Sequence, residues 1–243
     1  MALRENAPPK QLAFDLPADP RYGREDFLVG PANAAAYGLV EAWPNWPDTV
    51  CLLVGPPGSG KSHLASIWAT RAHAWTAACA EVQAASVPHL VSNGALVIED
   101  IDRPEGRDEA ALFHLLNLAR ERGRPVLVTA AQPVEAMGLA TADLRSRLRL
   151  APGATILAPD DALLRAVLVK LFVDRQLVVD LAVVEALALR IDRSFGLARR
   201  VVGELDRDAL GRGRRITRPL ALAVLARLGL DGADDEADEA EDD

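Results

Sequence analysis

Two regimes of apolar and polar positions follow one another along this chain. Up to residue 159, short apolar runs alternate with stretches of helical spacing. Val50-Cys51-Leu52-Leu53-Val54, Ala95-Leu96-Val97-Ile98 and Pro125-Val126-Leu127-Val128-Thr129 have almost no polar face, as in strands covered on both sides. Trp75–Cys79 reads as a weaker strand and Ala154-Thr155-Ile156-Leu157 as a short final one. Between them, Lys61–His73 and Ala142–Leu148 are predicted helices, and Val87–Val91 a helical turn. Glu109–Arg122 is predicted helical with Leu112, Leu115, Leu116 and Ala119 as its buried stripe. Asn33 can cap a helix over Ala34–Trp43 that Pro44 and Pro47 stop. The alternation predicts an α/β fold: a parallel five-stranded sheet with helices on both faces.

From residue 160 the pattern is helical only. Asp160 or Asp161 caps Ala162–Arg175, Asp180 caps Leu181–Ile191, Ser194 caps Phe195–Leu210, and Thr217 starts a last helix to Leu228. The organisation expected is therefore an extended arm over 1–25, where Pro8, Pro9, Pro17 and Pro20 oppose helix. An α/β domain over 26–159, a small all-α lid over 160–230 and an acidic disordered tail over 231–243 follow.

Composition changes this picture in one respect. The net charge of -8 is concentrated in the tail, which holds nine carboxylates; the rest has 35 − 9 = 26 acidic residues against 27 basic ones. A near-neutral body argues against a nucleic-acid groove. The two cysteines, Cys51 and Cys79, fit a reduced, cytoplasmic protein, and neither a secretory signal nor an apolar run of membrane length is seen.

The chemistry is concentrated in Gly55-Pro56-Pro57-Gly58-Ser59-Gly60-Lys61-Ser62, which fits G-x-x-x-x-G-K-[ST] between a strand and a helix. Its glycines let successive N–H groups turn toward a polyphosphate, and the following helix adds its N-terminal partial charge. Lys61 would reach the β/γ-phosphates of ADP or ATP, Ser62 would hold Mg²⁺, and His63 follows in the first turn. The acids Glu99 and Asp100 then end a buried strand. Glu99 is placed to hold Mg²⁺ and Asp100 to orient water; a solvated acid cluster is the plainer alternative. In the N-terminal arm, Leu12, Phe14 and Leu16 alternate after Gln11. That spacing suits an arm packed on the body or a short motif inserted into a partner's groove.

Together these segments resemble the AAA+ proteins of the DnaA branch, and within it the Hda-type regulatory inactivators of DnaA. The resemblance rests on Gln11–Leu16, similar to the sliding-clamp motif Q-L-x-[LF]-x-L. It rests also on the Walker A loop Gly55–Ser62 with the Walker B strand Leu96–Asp100, and on Leu144-Arg145-Ser146-Arg147-Leu148, similar to the box L-x-S-R-[FL]. It implies that Arg147 is an arginine finger acting in trans on ATP-bound DnaA, and that Gln11, Leu12, Phe14 and Leu16 bind the β subunit of DNA polymerase III, the sliding clamp. It also implies no sequence-specific DNA binding and no membrane partner, while allowing a homo-oligomer. Three departures stand out: Ala131 at the sensor 1 position with Thr129 and Gln132 nearby, Gly196 at the sensor 2 position with Arg199 and Arg200 one turn on, and Glu99 for the usual Asp. They imply weak hydrolysis by the chain itself, its output being a partner's ATPase. The rival expectation is an autonomous AAA+ ATPase that binds single-stranded DNA or loads a helicase.

Overall fold

Each apolar run of the first regime forms a strand. The computed structural model describes residues 22–212 and 215–230; the Gln11–Leu16 motif and the acidic segment 231–243 lie outside the described residues. Strands β1 (Val50–Val54), β2 (Trp75–Ala78), β3 (Leu96–Glu99), β4 (Val126–Ala130) and β5 (Gly153–Thr155) form one sheet in the order β2-β3-β4-β1-β5. Every neighbouring pair is parallel. Alternation along the strands divides the core in two. Val50, Leu52, Leu96, Ile98, Val126 and Val128 face a cluster that includes Leu112, Leu115, Leu144 and Leu148. Cys51, Leu53, Val97 and Leu127 face the other side, against Leu64, Ile67 and Trp68.

The helices of this part are α1 (Ala34–Glu41), α2 (Lys61–Ala72), α3 (Val87–Ser92), α4 (Glu109–Glu121) and α5 (Ala142–Leu150). The start of α4 is fixed by Asp108, whose carboxylate accepts from Ala111 N at 3.0 Å. It stops at Gly123, whose φ of +61° lets the Arg124 N–H return to Ala119 O. Helices α6 (Asp161–Asp174), α7 (Leu181–Ala188), α8 (Phe195–Arg212) and α9 (Arg218–Arg227) follow. They bury Leu168, Phe172, Leu187, Val201, Leu205 and Leu225 in a third cluster of their own. Asp160 caps α6 through Leu163 N at 2.7 Å, and Ser194 Oγ accepts from Leu197 N at 3.3 Å at the head of α8.

Several local expectations are corrected. Asn33 does not cap α1. It is 1% exposed, accepts from Gly30 N and donates to Leu28 O, so it locks the preceding turn instead. Asp180 and Thr217 precede their helices without a side-chain cap bond. The last strand begins at Gly153, where a Cβ would lie 2.5 Å from Leu52 O, and ends before Ile156. Trp46 stacks on Trp68 at 4.9 Å and Trp43 meets it edge-on at 6.4 Å, whereas Trp75 on the edge strand is 57% exposed. Both cysteines are buried, and burial pushes the Cys51 thiol up to about 12 and the Cys79 thiol to about 11. Among the described residues, no helix is long and apolar enough to cross a membrane.

Leu53 is fully buried on the Trp68 side of β1 and Leu181 is 71% exposed. Leu53→Ala should therefore destabilise the protein by about 2–5 kcal/mol, and Leu181→Ala by no more than about 0.5 kcal/mol. Urea midpoints followed by tryptophan fluorescence check both.

Candidate functional site

The loop from Gly55 to Gly60 leaves the carboxyl end of β1, which lies between β4 and β5. Open parallel sheets bind ligands at such a crevice. Its first bond anchors it: Gly55 N donates to Ala130 O at 3.1 Å. Backbone crowding explains the glycines. A Cβ on Gly55 would lie 2.8 Å from Ile156 O, and Gly58 and Gly60 have φ of +74° and +99°. Lys61 is 7% exposed and its ammonium donates to Gly55 O at 2.6 Å and Pro56 O at 3.0 Å. Burial lowers its pKa, opposed by the charges of Asp100, Asp102 and Glu99. Ser59 Oγ is buried without a hydrogen-bond partner among the described residues, and Ser62 is exposed at the head of α2. A buried cation, an orphaned hydroxyl and the free N–H groups of a helix start fit a polyphosphate.

The loop opens into a cavity of about 440 Å³, within the range for a small-molecule cofactor. Pro57, Gly58, Gly60, Lys61, Ser62 and His63 line its floor. Asp100 and Asp102 line the wall, and Asp100, with φ of +57°, is held by its N–H to Thr129 Oγ1 at 3.1 Å. Asp102 accepts from Ala131 N at 3.0 Å. Glu99 is not part of that wall: as the last residue of β3 it falls by alternation on the α2 side of the sheet, and its charge at Lys61 ranks behind those of the two aspartates. Asp102 was therefore missed as a site acid. The run Glu99-Asp100-Ile101-Asp102 was its only signal in the sequence.

The other walls come from the N-terminal segment and the helical part. His63 Nε2 lies 2.9 Å from Gly23 O, with the Phe27 and Tyr22 rings edge-on at 5.1 and 5.3 Å. Burial lowers its pKa, so it is neutral at pH 7. Lys170 on α6 reaches back to Asp26 at 2.7 Å and to Asp174 at 3.0 Å. From α8, Gly196 packs on the loop so closely that a Cβ on Gly58 would lie 2.8 Å from Gly196 N. Arg199 lines the cavity beside Tyr22, whereas Arg200 is exposed. Ala131 also lines it; Thr129 is committed to Asp100, and Gln132 is exposed.

Arg147 does not line this cavity. Leu144 and Leu148 bury one face of α5, and Arg147 between them donates to Asn117 Oδ1 on α4 at 2.6 Å. Sequence reasoning missed Asn117, and it also missed Arg107. The Arg107 side chain is 7% exposed and pairs with Glu109 at 3.1 Å. Glu109 accepts from Ala140 N at 3.1 Å and Thr141 N at 2.6 Å, just before α5.

A parallel sheet in this order, a glycine-rich loop after β1, carboxylates after β3 and a helical part over the loop define an AAA+ P-loop NTPase fold. Solved structures share it. Domain III of the Thermotoga maritima replication initiation protein DnaA superposes with a TM-score of 0.76 at 18% identity, over 86% of this chain and 97% of that one. AMPPCP-bound DnaA from Aquifex aeolicus gives 0.67 at 18% identity, over 81% of this chain and 68% of that one. The Thermotoga maritima RuvB Holliday junction branch migration motor gives 0.68 at 21% identity, over 87% and 73%. At these identities the likeness is one of fold. No protein-family model and no curated protein sequence matches this chain.

Burial raises the Glu109 pKa, but the Thr141 and Ala140 N–H groups and Arg107 outweigh it and hold the carboxyl below its ordinary 4.5. A carboxylate with a depressed folded-state pKa adds stability that is fully present above the unfolded value and is lost as pH falls through the folded one. The stability difference between wild type and Glu109→Gln should therefore be constant from about pH 7 to about pH 5 and shrink below about pH 4. Urea midpoints across that range test it.

Proposed function

We propose that this chain is a regulatory inactivator of the Hda type. It holds an adenine nucleotide in its own cleft and places Arg147 against the ATP of the initiator DnaA. The observation that carries this reading is the position of Arg147: outside its own cleft, on a helix pinned to the core, with its guanidinium aimed by Asn117. A guanidinium in that position can act only on a phosphate supplied by a neighbour, where it would stabilise charge on a transferring γ-phosphoryl group.

The cleft supports the other half of the reading. Lys61, Ser62 and the loop N–H groups would bind the polyphosphate, and the Phe27 and Tyr22 side would receive the base. Ser62 with Asp100, which lines the cavity where the expected ligand Glu99 does not, would hold Mg²⁺, which screens phosphate charge when bound. Ala131 has no polar side chain, so the cleft lacks one group that would help to cleave the bound nucleotide, while Arg199 stands in the cavity in place of a side chain at Gly196. That favours holding over turnover. The Gln11, Leu12, Phe14 and Leu16 motif would tether the chain to the sliding clamp, so that inactivation follows clamp loading.

The test is single-turnover hydrolysis of labelled ATP pre-bound to the cognate DnaA, with ADP and clamp loaded on DNA. Wild type should accelerate it, and Arg147→Ala should lose about 10³–10⁵-fold of the stimulated rate. A Gln11/Leu12/Phe14 triple alanine variant should lose the dependence on clamp. Lys61→Ala should weaken ADP binding roughly 10–100-fold, from the loss of charge-assisted hydrogen bonds. No acceleration by wild type, together with DNA-stimulated hydrolysis by the chain alone, would instead establish an autonomous ATPase.

A further inference from the structure

Arg107 is outside the cleft, yet its side chain is 7% exposed and its hydrogen bonds join residues 101–102, residues 137–138 and Glu109 at the start of α4. Nη1 donates to Ile101 O at 3.5 Å and Asp102 O at 3.3 Å, in the turn that carries the cleft acids, and to Met137 O at 3.1 Å. Nη2 donates to Gly138 O at 3.1 Å and to Glu109 at 3.1 Å. Glu109 in turn accepts from Ala140 N and Thr141 N, where the chain enters α5. A planar fork of fixed geometry thus ties residues 101–102 to residues 137–141.

Both ends of this tie lead to functional groups. On one side, Asp100 and Asp102 face the cavity, and the turn they share is also held by Thr129 Oγ1 and Thr129 O on β4, by Ala131 N just after it, by Cys79 Sγ on Ile101 O at 3.9 Å and by the buried Ile101 side chain. On the other side, the 137–141 segment sets where α5 starts, and Arg147 is one and a half turns into that helix. A shift of the acid turn on nucleotide binding moves two acceptors of a buried guanidinium. Those acceptors cannot be abandoned without leaving buried N–H groups unsatisfied, so the guanidinium and its remaining acceptors must follow.

We infer that Arg107 is a positioning residue that couples occupancy of the nucleotide cleft to the pose of α5, and so makes the presentation of Arg147 depend on the bound nucleotide. This rests on the reading of the cleft as a nucleotide site and of Arg147 as a group acting on a partner.

Hydrogen exchange of the full chain with and without ADP tests it without any partner protein. In wild type, saturating ADP should slow exchange in peptides spanning 137–150 on the order of threefold or more. In Arg107→Ala that ADP-dependent slowing should vanish, while the affinity for a fluorescent ADP analogue stays within about threefold of wild type. Arg107→Lys keeps the charge but has one nitrogen for five bonds, so it should restore part of the slowing. A purely structural role would speed exchange equally with and without ADP and leave the difference intact; that outcome overturns the inference, as does absence of any ADP effect on 137–150 in wild type. If Arg107→Ala does not fold, Glu109→Gln cuts the same tie at its α5 end and is judged by the same criterion. Failure of ADP to bind would overturn the nucleotide reading itself. ADP-dependent slowing that needs Arg107, without accelerated hydrolysis in DnaA, would leave the coupling standing and sink only the role of Arg147.

Discussion

A buried ammonium group is the constraint on which the cleft side of this protein depends. Lys61 is held by two carbonyls of its own loop, and burial alone would favour its neutral form. Its charge is sustained by carboxylates delivered from another strand, Asp100 and Asp102 foremost. That delivery requires β3 and β1 to end at the same edge of one sheet, with β4 between them in register, Val54 opposite Ala130 and Ile98 opposite Val128. The parallel sheet thus brings the carboxyl ends of its strands together at the lysine, whose ammonium charge, with the N–H groups of the glycine loop, is the part of this site suited to a negative ligand.

Much of this was legible in the sequence because it is contiguous. The glycine loop encodes its own turn, the apolar runs encode strands covered on both faces, and Asp160 and Ser194 stand beside the helices they start. What was not legible depends on partners far along the chain. Asn33 has the right chemistry for a cap but finds a better use, because two unsatisfied backbone groups of the 28–30 turn are within its reach. Arg107 looks like a loop arginine until residues 137 and 138 fold over it. Trp75 has the composition of a core residue, but it opens the edge strand β2 and is 57% exposed, although Ala77 on the same face is buried. Arg199, one turn into α8, lines the cavity, whereas Arg200 beside it does not.

The lid meets the loop through two glycines, and this explains why one departure from the family pattern accompanies a close fit. Gly58 needs its left-handed conformation to make the loop, so it offers no side chain to α8. With Gly196 opposite, the backbone of α8 comes to within van der Waals contact of the loop. An arginine at 196 would require that space for its stem. The chain instead has closure at this point and a guanidinium three residues on, over the Tyr22 ring. Lys170 and its ion pair with Asp26 tie the same helical part to the N-terminal segment beside the cavity.

The same logic of two attachments governs α5. Leu144 and Leu148 form a single apolar stripe one turn apart. Such a stripe fixes the helix against a surface but resists rolling and sliding only weakly, because burial is non-directional. Direction comes from hydrogen bonds, and two sets are supplied by α4, beside those of Arg145 to Leu139 O and Arg149 to Glu135: Glu109 at its first residue receives the segment entering α5, and Asn117 two turns along receives Arg147. Helix α4 is in turn a core element, with Leu112, Leu115 and Leu116 fully buried against the sheet. The guanidinium of Arg147 is thus referenced, through one rigid helix, to the strands that carry the nucleotide loop. Under the proposed function Arg147 would need such a reference to meet a phosphate on another molecule, since a long side chain free on the surface would lose in ordering what it gains in contact.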